Sequence, residues 1–296
     1  MIKDMYEIKK YPEIIEIFEL ENDPKKFTVD EIVITSYSYV ALGDCEKALN
    51  LLLEIIDDET FDQKSFMEKV KASSKEPKSA CPSPDDYMKE FDFDGDIYVV
   101  TLSSKLSGSH NSAELAKRLY LEENPGKNIE IFDSRSASVG QTLIAMKIKE
   151  LAEQGLSFNS IVERVYDFRN GMNTKFVLET LETLIKGGRI KGIQALLVNA
   201  LNIKPIMKGT KEGTIAKLDQ SRGIKRALKR MIEIIEKDVV KPSERIFAIA
   251  HCNNFERAKY VCEEVLKRVP FKDHLIVDTA GVSTIYANEG GIIVAY

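Results

Sequence analysis

The stretch Leu102–Ala113, LSSKLSGSHNSA, holds five serines, a glycine and an asparagine directly behind the apolar run Ile97-Tyr98-Val99-Val100. A strand ending there and a helix beginning at Ser109 would set these residues at the carboxyl edge of a sheet, where open α/β folds bind ligands. A helix N-terminus presents unpaired N–H groups and about half a positive charge, which attract an anion. Ser103 and Ser104 fall at the end of the strand, and Ser107, Gly108 and Ser109 at the start of the helix. Hydroxyls donate to a carboxylate or phosphate, and glycine lets the backbone approach closely. The plainer alternative makes Ser107 a helix N-cap and the rest turn chemistry. The phosphate-cradling patterns GxxxxGK[ST] and GxGxxG are absent. A nucleophilic serine is also unsupported: GxSxG is missing, and no histidine can be assigned as its base, although His110 lies in the turn.

The elements that must position this turn follow from periodicity and breakers. Lys75–Asp86 holds three prolines and reads as a loop, and Pro84-Asp85-Asp86 opens a helix with Ser83 as its cap. Strands at 97–102 and 129–132 alternate with helices at 109–121 and 139–153, the pattern of a parallel sheet with crossover helices. Gln154-Gly155 ends the last of these, and a helix at 158–170 follows, which places a domain boundary near residue 155. Beyond it the spacing predicts helices over 176–185 and 193–201, and a hairpin from 203–207 into 214–218. A basic helix over 222–236 and a second α/β unit with strands at 246–250, 275–278 and 292–295 complete the chain. Upstream, 31–38 reads as a buried strand, 45–53 as a helix and the residues after Asp62 as another. The expected fold is therefore α/β in two domains: an N-terminal open parallel sheet with flanking helices over 31–154, and a C-terminal α/β sandwich with a mixed sheet over 155–296. Residues 1–30 form an extension with no assigned role.

Composition narrows the function. The 296 residues are 44% hydrophobic and 30% charged, and the net charge of −5 offers no field that attracts nucleic acid or an anionic membrane. The N-terminus is broken by charges and lacks the apolar core of a signal peptide, and no stretch approaches ~18 consecutive apolar residues, so a cytoplasmic protein without a membrane span is expected. Cys45, Cys81, Cys252 and Cys262 are far apart and only three histidines occur, so neither a metal site nor a disulfide framework is expected. Cys81, beside Pro82, reads as structural rather than nucleophilic.

Several segments together carry a family resemblance. VVTLSSKLSGSHNSAELA resembles the SSxLSGTxxSA signature of the DegV family, and SACPSPDDYMKEF resembles its TSQPSP segment and following helix. IEIFDSRSASVGQTLIA, FVLETLETLIKGGRI, LLVNALNIKPIM and SRGIKRALKRM are similar to later family segments in the same order. The resemblance implies a long-chain fatty acid held between two α/β domains and presented to a separate ATP-binding kinase subunit, which phosphorylates its carboxyl group. It implies no cofactor and no catalysis by this chain; lipid exchange would involve transient contact with a membrane surface. Ser79 stands at the first threonine of TSQPS, and Ser104 or Ser107 in the serine signature, so these hydroxyls would hold the carboxylate. Cys81 and Ala80 replace the family's glutamine and serine, ITSYSY stands where ITDS is usual, and DTAGVSTIYANEGG covers the HxGPG region, with Thr279 at the family histidine.

A fatty acid needs a slot that is apolar along most of its length. Each buried CH₂ contributes ~0.8 kcal/mol, so a long chain gains about 10 kcal/mol before ordering costs. Candidate walls are Phe176, Leu178, Ile193, Leu196, Leu197 and Ile203, which could equally be plain core. Arg222, Lys225, Arg226 and Lys229 lie on one broad helix face, a solvated surface or a docking patch for the kinase subunit, and Arg189 belongs to that patch or caps a helix. The competing readings are a small esterase or a phosphotransferase related to dihydroxyacetone kinases, and an interaction module without a ligand.

Overall fold

The structure, a computed structural model, describes residues 12, 14–15, 61–72, 79–190 and 202–296. The expected elements at 31–38, 45–53 and 193–201 lie outside the described residues, as do Ile193, Leu196 and Leu197. The chain forms two compact units, Met1–Pro77 and Lys78–Tyr296. Within the first, helix α1 (Gln63–Ala72) follows Asp62 as its sequence predicts, and buries Phe66 and Met67.

In the second unit, α2 (Pro84–Glu90) starts on a reciprocal cap: Ser83 Oγ accepts from the Asp86 N–H at 3.2 Å, and Asp86 Oδ2 accepts from the Ser83 N–H at 3.1 Å. Strands β1 (Ile97–Thr101) and β2 (Ile129–Asp133) pair in parallel, joined by the crossover helix α3 (Ser109–Glu123). Helices α4 (Val139–Glu153) and α5 (Phe158–Gly171) follow. Gly155, at φ +73, ends α4 in the left-handed region that glycine enters without a Cβ penalty.

The remaining strands form one mixed sheet in the order β5-β4-β3-β8-β6-β7. They are β3 (Thr174–Val177), β4 (Ile203–Gly209), β5 (Ile215–Arg222), β6 (Ile246–His251), β7 (Asp273–Asp278) and β8 (Ile292–Ala295). Only β6 and β7 run parallel; the other pairings are antiparallel. All described strands before residue 155 are in the small sheet and all after it in the large one.

Period-two alternation decides what each face covers. Phe247 and Ile249 of β6, with Ile292 and Val294 of β8, pack under α7 (Ile224–Asp238) and α8 (Phe255–Leu266). Ala248 and Ala250, with Ala295, turn the other way and meet Val139 and Leu143 of α4. The opposite stripe of α4, Ile144 and Leu151, packs with Phe132 of β2 and with Ile161 and Val165 of α5. Helix α4 is apolar on two sides because it lies between the two sheets.

The helix expected over 176–185 is corrected. Residues 174–177 form β3, hydrogen-bonded to β4 on one edge and β8 on the other, and only α6 (Glu182–Lys186) is helical. Lys175, Phe176, Val177 and Leu178 are all buried, and a continuous buried run in a central strand looks locally like a helix segment. A short helix absent from the sequence reading, α9 (Gly281–Ala287), has no side-chain cap to announce it.

Candidate functional site

The serine turn does not act as one unit. Ser103, fully buried, donates from Oγ to the Gly213 carbonyl at 2.7 Å, pinning the β4–β5 hairpin to the end of β1. Gly213 sits at φ +86, and a Cβ there would fall 2.3 Å from the same Oγ, so the contact requires glycine. Ser104 donates from Oγ to Asp133 Oδ2 at 2.6 Å and from its N–H to Oδ1 at 3.1 Å, tying the ends of β1 and β2 together. Gly108, not Ser107, is the N-cap of α3. A side chain at Gly108 would press on Cys81 Sγ, 3.1 Å from the built Cβ, so this glycine admits the proline-rich loop rather than a ligand.

Ser107 and Ser109 face elsewhere. They line a cavity of about 270 Å³, just under the ~300–1,000 Å³ typical of ligand pockets, bounded by the end of β1, one face of the large sheet and α9. Their hydroxyls lie 2.8 Å apart, and Ser107 Oγ accepts from the Ser109 N–H at 3.2 Å. Tyr87 adjoins them: burial pushes its phenol pKa up, opposed by the hydrogen bond with Ser109. Ser79, brought in by the proline-rich loop, meets Tyr286 Oη of α9 at 3.1 Å. The Arg189 guanidinium stacks over the Tyr286 ring, 5.3 Å from its centroid, and donates from Nε to the Leu106 carbonyl at 3.2 Å. Ser79, Tyr286, Arg189, Ser107, Ser109 and Tyr87 thus form one connected polar wall, carrying one permanent positive charge and several hydroxyls free to reorient.

The rest of the lining is mostly apolar. Phe176 and Leu178 both face the cavity because they are two apart on an extended segment; on a helix the same spacing would have set them on opposite sides. Ile293 faces it beside them, opposite Phe176 in the β3–β8 register, and Ile215, Leu184 and Val100 extend the surface. Ile203, the first residue of β4, does not line it. His110, the histidine nearest the serines in sequence, meets Thr101 Oγ1 through Nδ1 at 3.4 Å.

Two candidates change place. Thr279 is buried away from the cavity, 2.7 Å from Thr284 Oγ1, while Tyr286, seven residues on, supplies the hydroxyl that reaches Ser79. Arg189 lines the cavity rather than the basic helix surface. Tyr286 was missed because its helix was: Val282, Ser283, Tyr286 and Ala287 all line the cavity, a one-face pattern that becomes visible only once α9 is known. Arg222 ends β5, while Lys225, Arg226 and Lys229 are exposed on α7.

The model of the DegV family, described as an uncharacterised protein family, matches residues 53–296. The chain belongs to the DegV family. A DegV domain-containing protein of Streptococcus gordonii is 37% identical over 241 residues, covering 81% of this chain and 85% of that protein. Among solved structures, a DegV family protein from Ruminococcus gnavus, described with vaccenic acid, is 48% identical with a TM-score of 0.79, covering 81% of this chain and 86% of the other. The Fatty Acid Kinase (Fak) B3 protein of Streptococcus pneumoniae, loaded with linoleic acid, is 35% identical with a TM-score of 0.75, covering 81% and 85%. These DegV relatives share the mixed α/β fold, the small parallel sheet and the larger mixed one. Among the described residues of this DegV protein, no helix is long and apolar enough to cross a membrane.

Proposed function

We propose that this protein binds a long-chain fatty acid in the cavity beside the serine turn and presents its carboxyl group to a separate ATP-binding kinase subunit. The observation that carries the reading is the division of that cavity into one connected polar wall and a largely apolar remainder. Ser79, Ser107, Ser109 and Tyr286 supply hydroxyl donors for a carboxylate, and Arg189 supplies the compensating charge. Phe176, Leu178, Ile215 and Ile293 take the acyl chain, whose burial provides affinity while the hydroxyls fix direction. The relatives named as carrying vaccenic and linoleic acid support the ligand class, and the kinase-subunit name of one supports the partner. Catalysis then belongs to the partner, and this chain holds the carboxyl group in position.

Titration of delipidated protein with a C18 fatty acid tests the reading. Saturable binding is expected, weakened about tenfold by Ser107→Ala and similarly by Ser79→Ala, since each removes a donor to a charged group. Absence of saturable uptake by correctly folded protein would overturn it.

A further inference from the structure

A second cavity, of about 440 Å³, is walled by the other half of the turn that follows β2: Ala137 and Ser138 line the first cavity, Ser134 and Arg135 the second. The C-terminal end of α5, which contributes Arg169, and the turn from β4 into β5, which contributes Lys211, close it. Three cationic side chains therefore line this cleft, and no carboxylate does. The nearest acids are otherwise placed. Asp133 turns its carboxylate to Ser104 and to the Arg135 N–H, acts on Arg169 electrostatically, and gives its backbone carbonyl to Arg169 Nη1 at 3.1 Å; Glu212, exposed and outside the lining, hydrogen-bonds Thr210 and interacts with Arg135 and Lys211.

The two guanidinium groups have little to satisfy them. Both reach the same neutral acceptor, Asn170 Oδ1, Arg169 at 3.0 Å and Arg135 at 3.5 Å. Arg169 Nε is buried without a hydrogen-bond partner, and the head stacks 4.8 Å from the Tyr166 ring centroid. Arg135 reaches the cleft from a backbone at φ +50, a conformation that costs a non-glycine residue energy. Two like charges share one amide oxygen with no counter-charge among the lining groups, an arrangement that a bound anion would relieve. Burial first and then the charge of Arg135 push the Arg169 pKa down, against smaller opposing effects of Tyr166 and Asp133.

We propose that this cleft is a binding site for a phosphoryl-bearing anion, held by Arg135, Arg169 and Lys211. Guanidinium forks match the tetrahedral oxygens of phosphate, and the lysine adds a point charge at the rim. The site is separate from the lipid cavity and does not rest on its assignment.

Isothermal titration and thermal melting with inorganic phosphate and with pyrophosphate, against sodium chloride at matched ionic strength, test it. Saturable binding and a saturable rise in Tm are expected with the phosphoryl anions and not with chloride. Tighter binding of pyrophosphate would assign a diphosphate group, and equal binding a single phosphoryl group. Because Arg169 also braces the end of β2, the decisive variant is Arg135→Ser with Lys211→Ser, both exposed; it should keep the circular dichroism spectrum and lose about tenfold or more in affinity. Phosphate binding no stronger than chloride, or binding unchanged in that folded double variant, would overturn the proposal.

Discussion

Ser104 and Ser107 are three residues apart and have separate tasks. Ser104 and the Arg135 N–H stabilise Asp133: burial alone would raise that carboxyl, but the Ser104 hydroxyl and the two backbone N–H groups outweigh it and hold its pKa below the ordinary value. A depressed folded pKa adds stability above the unfolded value of ~3.9, and that stability disappears as pH falls through the folded pKa. Ser104→Ala should therefore cost about 1 kcal/mol at neutral pH, measured by urea denaturation, with the variant and the parent converging in acid. Fatty-acid affinity should be largely unchanged, in contrast to Ser107→Ala, because Ser104 does not line the cavity. An equal loss of lipid binding in both variants would contradict the division drawn here.

At the scale of the element, α7 separates two surfaces cleanly. Ala227, Leu228, Met231, Ile232 and Ile235 are buried against the large sheet, while Lys225, Arg226 and Lys229 face solvent. Arg230 is engaged already, at 2.7 Å from Asp219 Oδ2 and 3.3 Å from Glu233 Oε2. Reversing Lys225, Arg226 and Lys229 to glutamate should leave the melting temperature nearly unchanged, since surface substitutions rarely exceed ~0.5 kcal/mol. If the kinase subunit docks on this face, its association rate should drop about tenfold or more at low salt, with a smaller difference at high salt. Stopped-flow mixing at two ionic strengths reads this directly, and a salt-independent rate would place docking elsewhere.

At the scale of the whole molecule, one buried charge joins distant parts of the Lys78–Tyr296 unit. Lys175, 2% exposed in β3, places Nζ 2.9 Å from Asp238 Oδ2 at the end of α7, and Tyr296 Oη donates to Asp238 Oδ1 at 2.6 Å. Lys175 also lies over the Tyr296 ring, 4.5 Å from its centroid, and burial pushes its pKa down. Asp238→Ala removes the counter-charge of that ammonium, leaving the Tyr296 hydroxyl still accepting from it, and should destabilise the protein by about 2 kcal/mol, whereas Lys175→Met should be much closer to neutral. The two denaturation midpoints, measured together, distinguish a desolvated charge from simple loss of contacts.

What was legible in the sequence was local. Apolar periodicity, the Ser83 cap, and Gly155 set the limits of α2, α4, β8 and their neighbours, because capping and amphipathicity are written within a few residues of each element. The serine turn and its position between β1 and α3 were legible for the same reason. Only the tertiary structure decided that 174–177 is a strand, since its hydrogen-bond partners in β4 and β8 lie thirty to more than one hundred residues away. It also decided that Ser103 and Ser104 brace loops while Ser107 and Ser109 face a cavity, and that Arg189 and Tyr286 join them there. Side-chain direction at a turn is set by what packs against it, and those partners, Gly213, Asp133 and Ser79 among them, are remote in sequence and adjacent only once the chain has folded.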